Sequence, residues 1–292
     1  MSFRLASLAA SVLIAAGCAS PPPETIGPAA KETVFAVTAS QRLVSFNGGQ
    51  PQKLLSDRAL TGLAPGERLL GIDYRVARGQ LFALGSSGRL YRIDTATAAL
   101  APVGAPIATT LEGTQFGFDF NPTVDRIRVV SDAGLNLRLH PDTGAVVDGD
   151  PNAAGLQLDG RLAYDAADRN AGRTPKVAAA GYTYNQDNDK ITTNFAIDAG
   201  LGALVRQGSA EGVQPAVSPN TGRLFTVGPL NAGPIGQVHF DISDVGNNAY
   251  AAITAPGAKA TVLYRVDLKT GGATRIGTVA GGAVLAGLAI EP

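Results

Sequence analysis

The sequence contains no tryptophan, one cysteine, one methionine and two histidines in 292 residues. A single cysteine excludes a disulfide framework and a cysteine metal cluster in the folded domain. The two histidines, His140 and His239, are too few for a histidine metal triad. Charged residues are also scarce, at 16%, and 24 basic residues balance 24 acidic ones. We therefore expect no nucleic-acid partner and no electrostatic attraction to an anionic membrane surface.

Glycine and proline, in contrast, are abundant, with 36 and 18 copies. Short apolar runs separated by turn-forming residues fill most of the chain, and this pattern is typical of an all-β protein. With 45% hydrophobic residues the chain can bury a sizeable core. The composition therefore predicts one large all-β domain without long helices.

The one cysteine, Cys18, ends an apolar run over residues 5–16 that follows a single positive charge. The run is too short to span a bilayer and is typical of an export signal. Its ending resembles the lipobox of bacterial lipoproteins, in which the cysteine is acylated, and Ala19 then implies the outer membrane. The alternative is plain secretion after cleavage near Ala16 or Ala19. We predict a signal peptide over 1–18, a Pro/Ala-rich tether over 19–32 and a folded domain over 33–292.

A short motif, in which an aspartate lies between apolar residues, recurs along the chain. Its aspartates are Asp73, Asp119, Asp165 and Asp241, and the intervals between them are 46, 46 and 76 residues. A repeat period in this range indicates a propeller or an array. A fifth version of the motif carries Ala289 in place of the aspartate.

Each repeat fits a four-stranded propeller blade. One unit shows apolar runs at 70–74, 81–84, 90–93 and 100–103, with turn residues between them. The pattern predicts a five-bladed β-propeller, with six blades as the alternative. Residues 214–227 are interpreted as an inserted hairpin, and this hairpin is the best candidate contact surface. The N-terminal unit has three strands, and we expect the C-terminal strand to complete it and close the ring.

The chain from residue 33 onward resembles an uncharacterised bacterial family of secreted and envelope-attached propeller-like proteins, a domain of unknown function. The segments that carry the likeness are GFDFNP at 117–122, DRIRVV at 125–130, FDIS at 240–243 and LYRVD at 263–267. The resemblance implies a propeller and an extracytoplasmic location. It supplies no catalytic residues.

The four repeated aspartates have two interpretations. In the first, each carboxylate accepts hydrogen bonds from backbone N–H groups in its own or the adjacent blade and stabilises the packed interior. In the second, carboxylates near one axis bind a cation such as Ca²⁺, which takes six to eight oxygen ligands. His239 shares a strand face with Asp241 and could orient it.

The function predicted from the sequence is a non-catalytic binding or assembly scaffold, anchored to the cell envelope, for a protein or an envelope polymer. No cofactor is expected. The alternative is a hydrolase in the channel, because five-bladed propellers include glycoside hydrolases and Asp73 and Asp119 on adjacent blades could supply the two carboxyl groups. Membrane contact is expected through the lipid anchor alone.

Overall fold

The computed structural model describes residues 24–292, and nearly all of their regular structure is β-strand. Three 3₁₀ turns interrupt the strands, at Val76–Arg78, Pro219–Thr221 and Ala280–Gly282. Within 24–292 no helix has the length and apolar character to cross a membrane. The predicted signal peptide, Cys18 and the start of the predicted tether lie outside the described residues.

Five small sheets form a five-bladed β-propeller, which confirms the predicted architecture. The first blade is a regular antiparallel meander of four strands. Its strands are β4 (Leu69–Arg75), β5 (Gln80–Gly85), β6 (Leu90–Ile93) and β7 (Leu100–Val103). The fourth blade has the same order, with β16 (Gln237–Ile242), β17 (Ala249–Thr254), β18 (Val262–Val266) and β19 (Ala273–Thr278).

The closing blade joins the two ends of the domain. It contains β1 (Thr33–Thr38), β2 (Arg42–Asn47) and β3 (Gln50–Ala59), and the last strand, β20 (Leu285–Ile290), pairs antiparallel with β1. Val34 lies opposite Ile290, and Ala36 lies opposite Leu288. The predicted closure is therefore confirmed, and it removes a free sheet edge.

The second blade has three strands, β8 (Phe116–Asn121), β9 (Arg126–Ser131) and β10 (Asn136–Leu139). In place of the fourth strand expected in each blade, there is one isolated bridge between Leu139 and Val146. The chain then continues as an irregular segment to residue 162. A buried ion pair fixes that segment, because Asp159 Oδ2 lies 2.5 Å from Arg128 Nη1 in β9.

The third blade corrects the strand assignment made from the sequence. Its strands are β11 (Ala163–Tyr164), β12 (Val177–Tyr182), β13 (Asn194–Asp198), β14 (Ala203–Gln207) and β15 (Arg223–Pro229). The motif around Asp165 does not begin the blade; β11 pairs parallel with β15 at the outer edge. The innermost strand is β12, and β15 is a regular outer strand. The prediction of an inserted hairpin at 214–227 was therefore wrong. It arose because the sequence interpretation began the blade at β11, one strand too early, and so gave β15 no place in the blade.

The strands β4, β8, β12, β16 and β20 surround the central channel, and each contacts the next around the ring. Apolar side chains from neighbouring blades form the core between them. Between the first and second blades, for example, the rings of Phe82 and Phe120 lie edge to face at 5.3 Å. Burying each such side chain contributes about 1.5–3 kcal/mol, so the inter-blade contacts dominate the stability of the ring.

Residues 24–32 precede β1 and lie against the outside of the propeller. Glu24 accepts hydrogen bonds from Thr278 N (2.8 Å) and Thr278 Oγ1 (2.6 Å), and it forms an ion pair with Arg275. At the other end of the segment, the Glu32 carboxylate accepts hydrogen bonds from Asn248 and Tyr250. The described part of the predicted tether is thus fixed to the fourth blade at both ends.

Candidate functional site

The central channel is lined in layers, because alternate residues of each inner strand point to the same side. We call the end at which the five inner strands begin the mouth, and the other end the base. Three layers follow from mouth to base: a cavity at the mouth, a layer of small residues with His239, and a layer of aspartates. Each layer takes one residue from each of several blades.

The aspartate layer joins neighbouring blades through hydrogen bonds. Asp73 Oδ2 accepts from Phe120 N in the second blade (2.6 Å), and Asp119 Oδ1 accepts from Tyr182 N in the third blade (3.0 Å). Asp241 Oδ2 accepts in the same way from the backbone N–H of Ile290 (2.6 Å) in the closing blade. Each of the three carboxyl groups therefore binds the inner strand of the next blade.

The two remaining blades lack an aspartate at this level. Gly181 occupies the position in β12, and a Cβ atom there would lie 3.0 Å from the Phe240 ring. Ala289, fully buried, occupies it in β20. Asp165, the fourth aspartate predicted for this set, lies instead just beyond β11, where its carboxylate forms an ion pair with Arg223 (2.6 Å). The structure brings together three of the four.

The three aspartates form a compact buried cluster. One oxygen from each carboxyl group lies within 4.8 Å of the others, and the residues are 3–5% exposed. Burial raises the pKa of Asp73 and Asp119 well above the usual range, and the neighbouring carboxyl groups add to the effect. Burial likewise raises the pKa of Asp241 to about 7. Protons are therefore retained in the cluster at pH values where exposed aspartates are fully ionised.

A cation is the other occupant that such a cluster could accommodate. Three carboxyl groups would supply part of the six to eight oxygen ligands of Ca²⁺, and each retains one oxygen that is not hydrogen-bonded to the next blade. Binding would require all three groups to ionise. Their raised pKa values show that protons compete for the same oxygens, so Ca²⁺ binding remains a prediction.

The burial of the aspartates counts against the alternative of a channel hydrolase. A glycosidic bond lies between two carboxyl groups separated by at least about 5 Å, and both must reach the substrate. Here Asp73 and Asp119 are in the closed interior and bind backbone N–H groups. The cavity just toward the mouth has a volume of about 10 Å³, room for about one water molecule and far too small for a glycosidic substrate.

That constriction is the layer of small residues. Gly71, Gly117 and Gly287 bring inner strands close together, and a Cβ atom on Gly117 would lie 2.7 Å from Ala180 N in the next blade. The fourth blade instead supplies His239, whose Nε2 lies 3.0 Å from Leu285 O. Because a carbonyl oxygen only accepts, Nε2 carries the proton. Burial lowers the pKa of His239 to about 4, so the ring is neutral at pH 7.

The mouth contains a cavity of about 190 Å³. Four inner strands begin around it, and Leu69, Phe116 and Leu285 form an apolar floor, each no more than 7% exposed. Gln115 and Gln237 occupy the same level and contribute amide groups. His239 lines both this cavity and the constriction behind it.

The sequence analysis identified the cluster aspartates and His239 but not the glutamines of the mouth. Gln115 and Gln237 each lie four residues before a cluster aspartate, as Asp119 and Asp241 show. The period of two along a strand places residues four apart on one face. Once Asp119 and Asp241 were assigned to the channel, this spacing could have identified both glutamines.

Comparison with solved structures finds similar but distant folds. A structural genomics protein of unknown function from Bacteroides thetaiotaomicron is 15% identical, with a TM-score of 0.46, and the match covers 82% of this chain and 56% of that one. Hydrazine synthase from Kuenenia stuttgartiensis is 11% identical, with a TM-score of 0.37, over 70% and 47%. YCF48 from Cyanidioschyzon merolae is 15% identical, with a TM-score of 0.39, over 83% and 68%.

The chain therefore spans about half the length of the first two of these proteins. No curated protein sequence matches it. A family model, in contrast, matches residues 42–289, nearly the whole propeller. The chain belongs to the family described as Domain of unknown function (DUF4394).

Proposed function

We propose that this propeller is a non-catalytic binding module of the bacterial cell envelope, and that it recognises a protein or an envelope polymer at the mouth of its channel. A lipid on Cys18 anchors it in the outer membrane of a Gram-negative cell, and secretion without a lipid is the alternative. The balanced charge supports a partner other than nucleic acid.

One observation carries this proposal: the channel is open at the mouth and closed directly behind it. The cavity of about 190 Å³ is built from four rigid inner strands, and the constriction of small residues with His239 separates it from the aspartates. A concave, preformed site with a few polar groups on an apolar floor is typical of ligand recognition. The titratable side chains in the described lining are Arg68 and His239. No carboxyl group accompanies them and His239 already donates to Leu285 O, so the site is suited to binding rather than to acid–base chemistry.

The test is site-specific photo-crosslinking of the full-length protein in intact cell envelopes. A photoreactive residue at Gln237 on the mouth should capture an envelope component, whereas the same residue at Val245, exposed on the base side of the same blade, should not. Equal capture at both positions, or none at Gln237, would contradict binding at the mouth. The anchor is tested separately: Cys18→Ser should prevent incorporation of labelled palmitate and move the protein to the soluble envelope fraction.

A further inference from the structure

We propose that the mouth cavity binds one uncharged sugar ring with free hydroxyl groups, either as a free monosaccharide or as the end unit of a glycan. This inference rests on the proposed function, since it assigns a ligand class to the same site. The volume is the first reason. About 190 Å³ is below the range of about 300–1,000 Å³ that is typical of pockets for drug-sized ligands, so it suits one hydroxylated six-membered ring better than a peptide or a drug-sized ligand.

Unpaired acceptors at the cavity are the second reason. Gln115 Oε1 is buried and has no hydrogen-bond partner among the described residues. His239 donates from Nε2 to Leu285 O, so Nδ1 of the neutral ring is an acceptor, and no described group donates to it. A buried acceptor without a partner is costly, so a ligand that donates to Gln115 Oε1 removes that cost, and Nδ1 of His239 offers a second acceptor.

The remaining lining favours a group that also accepts. The amide of Gln237 and the guanidinium of Arg68 lie on the exposed rim and can donate. A hydroxyl group donates and accepts at once, whereas a carboxylate only accepts and an ammonium only donates. A ring carrying several hydroxyl groups is therefore the ligand that satisfies both kinds of protein group.

The apolar floor fits the same ligand. Leu69, Phe116 and Leu285 present carbon atoms at the bottom of the cavity, and the C–H face of a sugar ring can pack against them. Arg68 is the one charged side chain in the lining, and it is exposed at the rim, where solvent screens it. The cavity therefore lacks the buried positive charge that binding of a free anion would need.

The experiment uses saturation-transfer NMR to detect binding of D-glucose, D-galactose, D-mannose and N-acetyl-D-glucosamine to the full folded propeller. Acetate and glycine serve as charged probes of similar or smaller size. We expect saturation of at least one sugar, and at least tenfold weaker binding in Gln115→Leu, which keeps a side chain of similar bulk but removes the acceptor. The control is Gln186→Leu, because Gln186 is exposed near the base.

Absence of saturation for all four sugars, or equal saturation in wild type and Gln115→Leu, would overturn the inference. Saturation of acetate alone would also overturn it and would indicate an anion site. Thermal melting of each variant establishes that it is folded. Gln237→Ala, on the exposed rim, is a second variant and should weaken binding of the same sugar.

Two further comparisons distinguish a free monosaccharide from the end of a glycan, and failure of this inference from failure of the proposed function. An oligosaccharide that ends in the bound sugar should bind more tightly than the free sugar if the ligand is a glycan end, and equally if it is a monosaccharide. If the Gln237 crosslink captures an envelope protein but no sugar binds, the sugar inference fails and the proposed function stands. If sugar binds but Gln237 captures nothing in envelopes, the proposed envelope role fails and the sugar site stands.

Discussion

At the scale of single residues, the cluster of Asp73, Asp119 and Asp241 shows how a buried acid can stabilise a ring. Each carboxyl group accepts a backbone N–H from the next inner strand, and that N–H would otherwise be unpaired in the interior. Ionising all three at short range would be costly, so protons remain in the cluster. The residues are acidic, yet in the folded protein they act mainly as neutral hydrogen-bonding groups.

Replacing Asp241 with Asn should change how stability depends on pH. The folded pKa of Asp241 is about 7, above its usual value of 3.8. The folded state therefore binds the proton more tightly, so this contribution is complete below about pH 4 and is lost as the pH rises to about 7. Each pKa unit corresponds to about 1.4 kcal/mol, so the loss is a few kcal/mol. Chemical unfolding of wild type and Asp241→Asn between pH 4 and pH 8 measures the difference.

The control for this prediction is Asp187→Asn, because Asp187 is exposed in a turn. Its stability curve should run parallel to that of the wild type, whereas the Asp241→Asn curve should approach the wild-type curve or cross it as the pH rises. A wild-type protein that gains stability with pH and loses it on addition of EDTA would contradict proton retention and would indicate a bound cation.

Arg128 is the second residue with a large expected effect. Its side chain is 1% exposed; it forms an ion pair with Asp159 and donates hydrogen bonds to Asn136 Oδ1 (2.8 Å) and Asn220 Oδ1 (2.6 Å). Arg128→Met removes one partner and leaves Asp159 buried beside Arg138 alone, so unfolding should become easier by roughly 3–5 kcal/mol. Urea unfolding measures this loss.

The matched control for Arg128 is Arg161→Met, since Arg161 is 63% exposed and pairs with Glu112. An exposed pair contributes at most about 1 kcal/mol, so this variant should unfold near the wild-type midpoint. Equal midpoints for the two variants would show that the buried network adds nothing.

At the scale of elements, the sequence predicted the blade count and the closure, but it misassigned the third blade. The regular interval placed Asp165 in an inner strand, whereas the true inner strand, β12, carries Gly181 at that level. The ring of Phe240 packs closely against Gly181, since a Cβ atom there would lie 3.0 Å from it, so this position favours glycine over the repeated aspartate. The unbroken run of apolar and small residues over Val177–Tyr182 was the better sequence signal, since a strand buried on both faces shows no alternation.

The candidate site was predictable to a similar extent. Repetition identified Asp73, Asp119 and Asp241, because a residue required in several blades recurs at the repeat interval. The mouth cavity has no residue repeated in this way: its equivalent positions, four residues before each cluster aspartate, are Leu69, Gln115 and Gln237, and they become recognisable only after the aspartates are assigned to the channel. Their common site arises only when separate blades meet around the channel, and contacts of that range are not encoded in local periodicity.

The strand β20 provides the prediction at this scale. Residues 286–292 include nearly all of β20, which supplies the inner strand of the closing blade and contacts both neighbouring inner strands. Removing them exposes the edge of β1 and the core around Val34 and Phe46, so the single cooperative unfolding transition should be lost. Circular dichroism during heating checks this, and removal of Pro292 alone is the control that should melt as the wild type does. A 286–292 truncation with unchanged melting would refute closure as the source of cooperativity.

At the scale of the whole molecule, the path of residues 24–32 determines which end of the channel lies beside the first described residue. Thr278 pairs with Val262, and Gln237 pairs with Thr254, so Thr278 lies on the mouth side of the fourth blade. Glu24 is fixed to Thr278, and this contact lowers the pKa of Glu24 to about 2. Glu24, the first described residue, therefore lies on the mouth side, whereas Glu32 precedes β1 near the base.

If Cys18 is acylated as proposed, this path should hold the mouth side close to the membrane. The chain between Cys18 and Glu24 can reach about 20 Å at most. A fluorophore attached at Ala258→Cys, in the mouth-side turn between β17 and β18, should be quenched by quencher-bearing lipid headgroups in liposomes. One attached at Val245→Cys, in the base-side turn of the same blade, should be quenched much less. Cys18 is the sole native cysteine, and acylation blocks its thiol, so each label is specific.

The contact of Glu24 with Thr278 is what distinguishes this orientation from free tumbling on a tether. Glu24→Ala removes the two hydrogen bonds to Thr278 and the ion pair with Arg275, so the difference in quenching between the two labels should shrink while the melting temperature stays nearly constant. Equal quenching at Ala258→Cys and Val245→Cys in the otherwise native protein would show that the segment does not orient the propeller. Stronger quenching at Val245→Cys would place the base, not the mouth, against the membrane.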